Sequence, residues 1–302
     1  MEETTRIAVS PSRGELQTSL KGSLRRNRVW EIDFLRGVVF IIVFLYHACW
    51  DISMIPQLFS NYYDLANDSF RSVVDLADKI FTMPGHSLGV VIVAGTFLFL
   101  TGVCCTFSRN NALRGAKIFC WGMVITIATV VLSVVGQMND MLIVFGILHC
   151  IGLTVLLYGL WEIVERKLNF KTPAWVYLIL GLAFIGLGTY LEHWYPGYRG
   201  FSFQQMNLKN ILGNIIGTSY SYGDSFPLFP NAGTILLGIG IGKLVYGGKR
   251  GKISICPALD GPWFAPVKFI GRHSLVLYLG EQVLGWVLII GVLLPMGYTL
   301  SL

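Results

Sequence analysis

Charge is what this sequence has least of. Asp, Glu, Lys and Arg supply only 13% of its 302 residues, about half of the ~25% usual in soluble domains. So few charges cannot cover the surface of a soluble enzyme, and hydrophobic residues at 54% rule out a disordered chain. Cysteine is also sparse. Cys49, Cys104, Cys105, Cys120, Cys150 and Cys256 show neither a CxxC pair nor a zinc-ligand spacing, so neither a metal site nor a disulfide framework is expected. No Walker-type loop, no dinucleotide fingerprint after a strand and no two-half repeat is present. The formal net charge of +6 resembles a nucleic-acid signal only until the positions of the charges are considered.

What is present is length without charge. Seven apolar stretches run over residues 30–50, 88–107, 118–136, 141–161, 173–191, 229–242 and 274–300, close to the ~20 residues a bilayer core requires. The fold predicted is therefore all-α: a polytopic membrane bundle of about seven transmembrane helices. The sixth stretch is short and glycine-rich, which suits close packing against a neighbouring helix. Lys and Arg then alternate. Arg25, Arg26 and Arg28 precede the first span; Arg109, Arg114 and Lys117 follow the second; Arg166, Lys167 and Lys171 follow the fourth. Lys243, Lys249, Arg250, Lys252, Lys268 and Arg272 follow the sixth. The opposite loops hold only Arg71, Lys79, Arg199 and Lys209. Excess Lys and Arg marks the cytoplasmic side, so a cytoplasmic amino terminus is predicted. The basic surface then faces anionic lipid, not nucleic acid.

Residues 1–28 are polar and Arg-rich, and read as a flexible cytoplasmic tail, not a cleavable signal peptide; residues 29–302 form the membrane domain. Two outer loops, 51–84 and 192–228, exceed about 15 residues, the length at which loops are commonly lids or binding surfaces.

The informative pattern lies on the first helix. At about 100° per residue, Asp33, Arg36, His47 and Asp51 fall within about 60° of one another, and Arg36 and His47 lie about 16 Å apart along the axis. A guanidinium inside a span faces a bundle interior or a cavity, because hydrocarbon cannot solvate it. Asp33 is the nearest partner for Arg36, and a simple interfacial anchor is the plainer alternative. His47 on the same stripe titrates near neutrality and suits proton transfer; Asp51, one turn on, is placed to orient its ring. His149 and Glu281 are further intramembrane ionisable groups, with packing roles as the competing explanation. Asp224 is a turn residue or a site residue, and Arg272 an interfacial anchor or a phosphate contact. His86, His193 and His273 read as loop or interface residues.

Five strings occur in order: Asp33-Phe34-Leu35-Arg36-Gly37 with His47, Gly95-Thr96-Phe97-Leu98-Phe99-Leu100-Thr101-Gly102-Val103, Phe145-Gly146-Ile147-Leu148-His149-Cys150-Ile151-Gly152, Asp224-Ser225-Phe226-Pro227-Leu228-Phe229-Pro230 and Phe269-Ile270-Gly271-Arg272-His273-Ser274-Leu275. The first resembles the opening of the acyltransferase-3 group. Together, over about residues 28–290, they resemble more the heparan-alpha-glucosaminide N-acetyltransferase catalytic-domain family. The resemblance implies a multi-pass enzyme that moves an acetyl group from cytoplasmic acetyl-CoA to an amino sugar across the membrane. It implies His47 as catalytic residue and Arg36 on the donor pathway, with His149 and Asp224 lining the site. Catalysis is accordingly expected from His47, Asp51 and His149. Donor contacts are expected from Arg36, Asp33, Lys243, Arg250 and Arg272, and acceptor contacts from Asp224 and Glu281. Acetyl-CoA, a glycan or small-molecule acceptor and membrane lipid are the expected partners. A bacterial inner membrane is the expected location, and a homodimer is left open. On the residues alone, Arg36, His47, His149 and Glu281 would equally serve a proton relay in a transporter or permease of small or sugar-linked solutes.

Overall fold

A backbone in hydrocarbon must satisfy its own N–H and C=O groups, so long apolar runs become long helices. The computed structural model describes residues 29–135, 141–194, 200–247 and 254–301; the tail expected at 1–28, and Lys249, Arg250 and Lys252, lie outside the described residues. Seven helices are long and apolar enough to cross a membrane. They are α1 (Trp30–Ser53), α3 (His86–Cys105), α4 (Asn111–Val135), α5 (Ile147–Lys167), α6 (Ala174–Trp194), α8 (Leu228–Tyr246) and α9 (Ala265–Leu293). Between α1 and α3 lies the amphipathic α2 (Asp68–Thr82), and between α6 and α8 the short α7 (Leu208–Ile216). A two-residue parallel pairing of β1 (Gly200–Phe201) with β2 (Tyr220–Ser221) is the one small sheet among the described residues.

Boundaries differ from the apolar runs where composition is ambiguous. Residues 141–146 are apolar but do not continue a helix. They pair with the chain before α8, through Gly223 N–H to the Leu142 carbonyl at 2.9 Å and Phe226 N–H to that of Phe145 at 3.0 Å. A buried apolar stretch of this length is compatible with either conformation, and here the pairing with residues 223–226 decides. Conversely, α4 begins seven residues before its apolar run and carries Arg114 and Lys117 on its first turns. The last helix starts at Ala265, with a proline in its first turn, where the missing N–H costs nothing.

Packing is sequential in part and closed by the chain's two ends. The main contacts join α4 with α5, α6 with α8, α3 with α8, and α9 with α1. Gly238 of α8 lies against the Phe99 carbonyl of α3, where a Cβ would collide, so the glycine-rich sixth span packs as its composition predicts. The core gathers Leu98, Ile151, Val155, Ile235 and Ile239, whereas Leu182, Val276, Leu284 and Leu288 are 62%, 70%, 61% and 65% exposed. Such an apolar exterior suits contact with lipid tails.

The 51–84 loop is folded back as helix. Asn67 caps α2, its side chain accepting from Phe70 N–H at 2.8 Å, and α2 lies along α1. Phe59, Tyr62, Val74, Leu293 and Tyr298 form a second cluster, which ties the carboxyl end of α9 to that of α1.

Candidate active site

The polar stripe of α1 meets a matching stripe on α9. Asp33 Oδ2 accepts from Arg272 Nε at 2.8 Å; Arg36 Nη2 donates to Ser274 Oγ at 2.6 Å. His47 Nδ1 shares a hydrogen with Glu281 Oε1 at 2.6 Å, and Gln282 Nε2 donates to Asp51 Oδ1 at 2.6 Å. Numbers rise together on both helices, so the first and last spans run parallel. Gly271 makes the approach, because a Cβ there would enter the Asp33 carbonyl. Close helix contact through a small residue is the usual way polar pairs are brought together in a membrane.

These pairings reassign two expected partners. Spacing on α1 alone matches Arg36 with Asp33 and His47 with Asp51. In the folded chain Asp33 is taken by Arg272 and Asp51 by Gln282, because the facing helix supplies nearer groups than the next turn does. Glu281, expected at an acceptor, is the residue that bonds the imidazole. It is 8% exposed, and its Oε2 is buried with no partner among the described residues.

Two chambers flank the ladder, and they share no lining residue. The first, of about 620 Å³, is walled by Asp33, Arg36, Arg114, Lys117, Leu148 and Tyr278, among others. Arg36 Nε is buried there with no partner among the described residues. With Asp33 committed to Arg272, the wall offers three cations and a spare N–H, the donor set of an anion site. The second, of about 380 Å³, lies between α1 and α9 and includes His47, Asp51, Glu281 and Gln282. One channel serving both Arg36 and His47 is what helical spacing predicts; the structure divides it. Tyr278 stands at the division, on the wall of the first chamber with its ring centroid 5.9 Å from that of His47.

The remaining expected residues are dispersed. His149 is buried on the first turn of α5. Its Nδ1 accepts from Gly146 N–H at 3.2 Å, so Nε2 carries the hydrogen in the neutral ring and donates to Thr126 Oγ1 at 3.1 Å. Asp224 Oδ2 accepts from Ile147 N–H at 3.1 Å, a carboxylate at the α5 amino terminus, where the helix dipole favours it. Burial nevertheless pushes the Asp224 carboxyl above its ordinary range, opposed by that N–H and by the charge of His47 nearby. Lys243 sits apart from the first chamber, 4.0 Å from Glu165 Oε1 and 4.3 Å above the Tyr177 ring. Arg250 lies outside the described residues. Arg114 and Lys117 of the chamber wall were legible only as orientation charges. Their three-residue spacing, which puts both on one face of a helix entering the membrane, is the signal that marks them.

Seven apolar spans, with ionisable pairs between the first and the last of them and a cation-lined chamber at one end, define a polytopic membrane protein with a polar site among its helices. The model of the heparan-alpha-glucosaminide N-acetyltransferase catalytic family matches residues 28–283. The chain belongs to that family, and its bundle is that of a membrane acetyltransferase. No curated protein and no solved structure matches it.

Proposed function

We propose that this protein takes the acetyl group of acetyl-CoA at the Arg36 chamber and passes it to an amino-sugar acceptor at His47. The observation that carries the proposal is the His47–Glu281 pair, set one tyrosine away from a cation-lined chamber. Acetyl-CoA suits that chamber on chemical grounds. Arg36, Arg114 and Lys117 answer its phosphates, and the unpartnered Arg36 Nε answers an oxygen. Arg272 reaches this chamber only through Asp33, the wall residue that it holds. The Lys and Arg bias of the loops supports a cytoplasmic position for this end, and a bacterial inner membrane is the setting proposed.

At the other end, His47 has one nitrogen committed to Glu281, and its Nε2 has no partner among the described residues. With the Tyr278 ring turned aside to admit the thioester end of the donor from the first chamber, Nε2 takes the proton as the acceptor amine attacks the thioester carbonyl. Glu281 holds the ring through Nδ1–H and stabilises the imidazolium. The carbon–sulfur bond breaks, and the imidazolium returns its proton to the departing CoA thiolate. An acetyl-His47 intermediate would use the same Nε2. Asp51, fixed by Gln282, adds negative charge that favours the imidazolium. His149 has both ring nitrogens bonded to protein, so no proton step is given to it; it holds the 141–146 segment against α4.

The test is purified protein in nanodiscs. Acetyl-CoA raises its melting temperature, and thiol release depends on an added amino sugar. His47→Ala keeps the acetyl-CoA shift and loses transfer. Full transfer by that variant, or proton-coupled uptake indifferent to acetyl-CoA, refutes the assignment.

A further inference from the structure

Among the described residues, the chamber around His47 is not closed by protein. It is built from α1 and α9 alone, and its walls stand on the outer surface of the bundle, with Phe44 45%, Leu284 61% and Leu288 65% exposed. At its floor lie His47 and the buried Glu281, whose Oε2 has no partner among the described residues. Asp51 lies one turn beyond His47 on α1, bonded by Gln282, the residue after Glu281. An ordinary lipid-facing groove between helices carries no ionisable floor, because hydrocarbon does not solvate one. A water-borne sugar, for its part, gains nothing from apolar walls.

We propose that this groove binds the hydrocarbon chain of a lipid-anchored acceptor, an amino sugar carried on an alkyl or isoprenoid tail that enters sideways from the bilayer. The tail lies along Phe44, Leu284 and Leu288, and the amine reaches the floor. Charge complementarity selects the amine: two carboxylates, Glu281 and Asp51, face the groove, and one oxygen lacks a hydrogen donor. An ammonium arriving there is paired by Glu281; it becomes nucleophilic by releasing one proton to water, and its second goes to His47 Nε2 as the amide forms. This inference rests on His47 being the acceptor-side residue, and it adds the class of acceptor and its route.

The probe is dodecyl glucosaminide, with a photoreactive diazirine on its alkyl chain, incubated with the full chain in nanodiscs. Cross-links are expected on the α1 and α9 peptides that carry Phe44, Leu284 and Leu288. Unlabelled dodecyl glucosaminide should displace them, and dodecyl glucoside, which lacks the amine, should not. Cross-links spread over all lipid-facing helices, or equal displacement by the glucoside, overturn the proposal. Equal displacement by phosphatidylethanolamine overturns the amino-sugar commitment. Turnover separates this inference from the transferase reading. With acetyl-CoA, kcat/KM for dodecyl glucosaminide should exceed that for free glucosamine at least about tenfold, as burial of several methylenes implies. Leu288→Gln should cut that ratio at least about fivefold, whereas Leu182→Gln, on the lipid-facing side of α6, should leave it unchanged. Equal kcat/KM for the two acceptors overturns the lipid-anchored acceptor while acetyl transfer stands. Localised, amine-selective cross-links without CoA release from any acceptor overturn the transferase and keep the amine-binding groove.

Discussion

Replacing Glu281 by Gln removes one charge and almost no volume from the interior. In the native chain Glu281 Oε1 is 2.6 Å from His47 Nδ1, and Oε2 is buried without a partner among the described residues. Gln retains an oxygen for Nδ1–H but cannot stabilise the imidazolium that forms as the acceptor loses its proton. A hydrogen bond to a charged group is worth about 1.5–3 kcal/mol and a neutral one about 0.5–1.5, a difference of about 1–1.5 kcal/mol. At about 1.4 kcal/mol per decade of rate, kcat falls about 5- to 12-fold. KM for acetyl-CoA stays within about twofold, because Glu281 is no part of the Arg36 chamber. Stability holds or rises, since the substitution withdraws an incompletely paired buried charge, which is costly to bury. Thiol release at saturating acetyl-CoA gives kcat, and thermal melts in nanodiscs report folding. A kcat within twofold of wild type would refute the assignment of Glu281. So would a fall in melting temperature large enough to account for the lost rate by unfolding.

Gly271→Ala drives a Cβ into the Asp33 carbonyl and should cost about 1–3 kcal/mol, as overpacking does; Gly280→Ala, with open space around it, should not. Melting temperatures of the two variants decide, and equal values would remove Gly271 from its place in the α1–α9 contact. Tyr278→Ala should join the two chambers and let water reach the thioester, so that CoA release without acceptor rises at least about tenfold over wild type; an unchanged background would show that Tyr278 is no barrier. Asp224 has its carboxyl pKa raised by burial, so the folded state holds the proton more tightly than the unfolded chain does. The resulting stability is complete below the ordinary carboxylate value of about 3.9 and is lost as pH rises from there through the raised folded value. Asp224→Asn keeps an oxygen for Ile147 N–H and abolishes that slope. Its melting temperature should therefore gain on wild type across that window and stay ahead above it. Parallel curves would contradict a raised Asp224.

Membrane class, span number and the first-helix stripe were written in the chain, because each depends only on local composition and on about 100° per residue. Hydrocarbon admits no unpaired backbone, so apolar length and helix are nearly synonymous. The run at 141–146 is the exception, since its pairing partner lies some 80 residues away. Arg36 and His47 were likewise legible, as ionisable groups where hydrocarbon should be. Their partners were not. Asp33 and Asp51, neighbours on the helical wheel, are claimed by Arg272 and Gln282, and Ser274 and Glu281 take their places. Which groups meet across two helices depends on how closely the backbones approach and at what register. That is decided where Gly271 lets α9 sink onto α1, some 230 residues apart in sequence. The division at Tyr278 and the lipid-side opening at His47 belong to the same level: both are properties of the space between helices, which no single helix encodes.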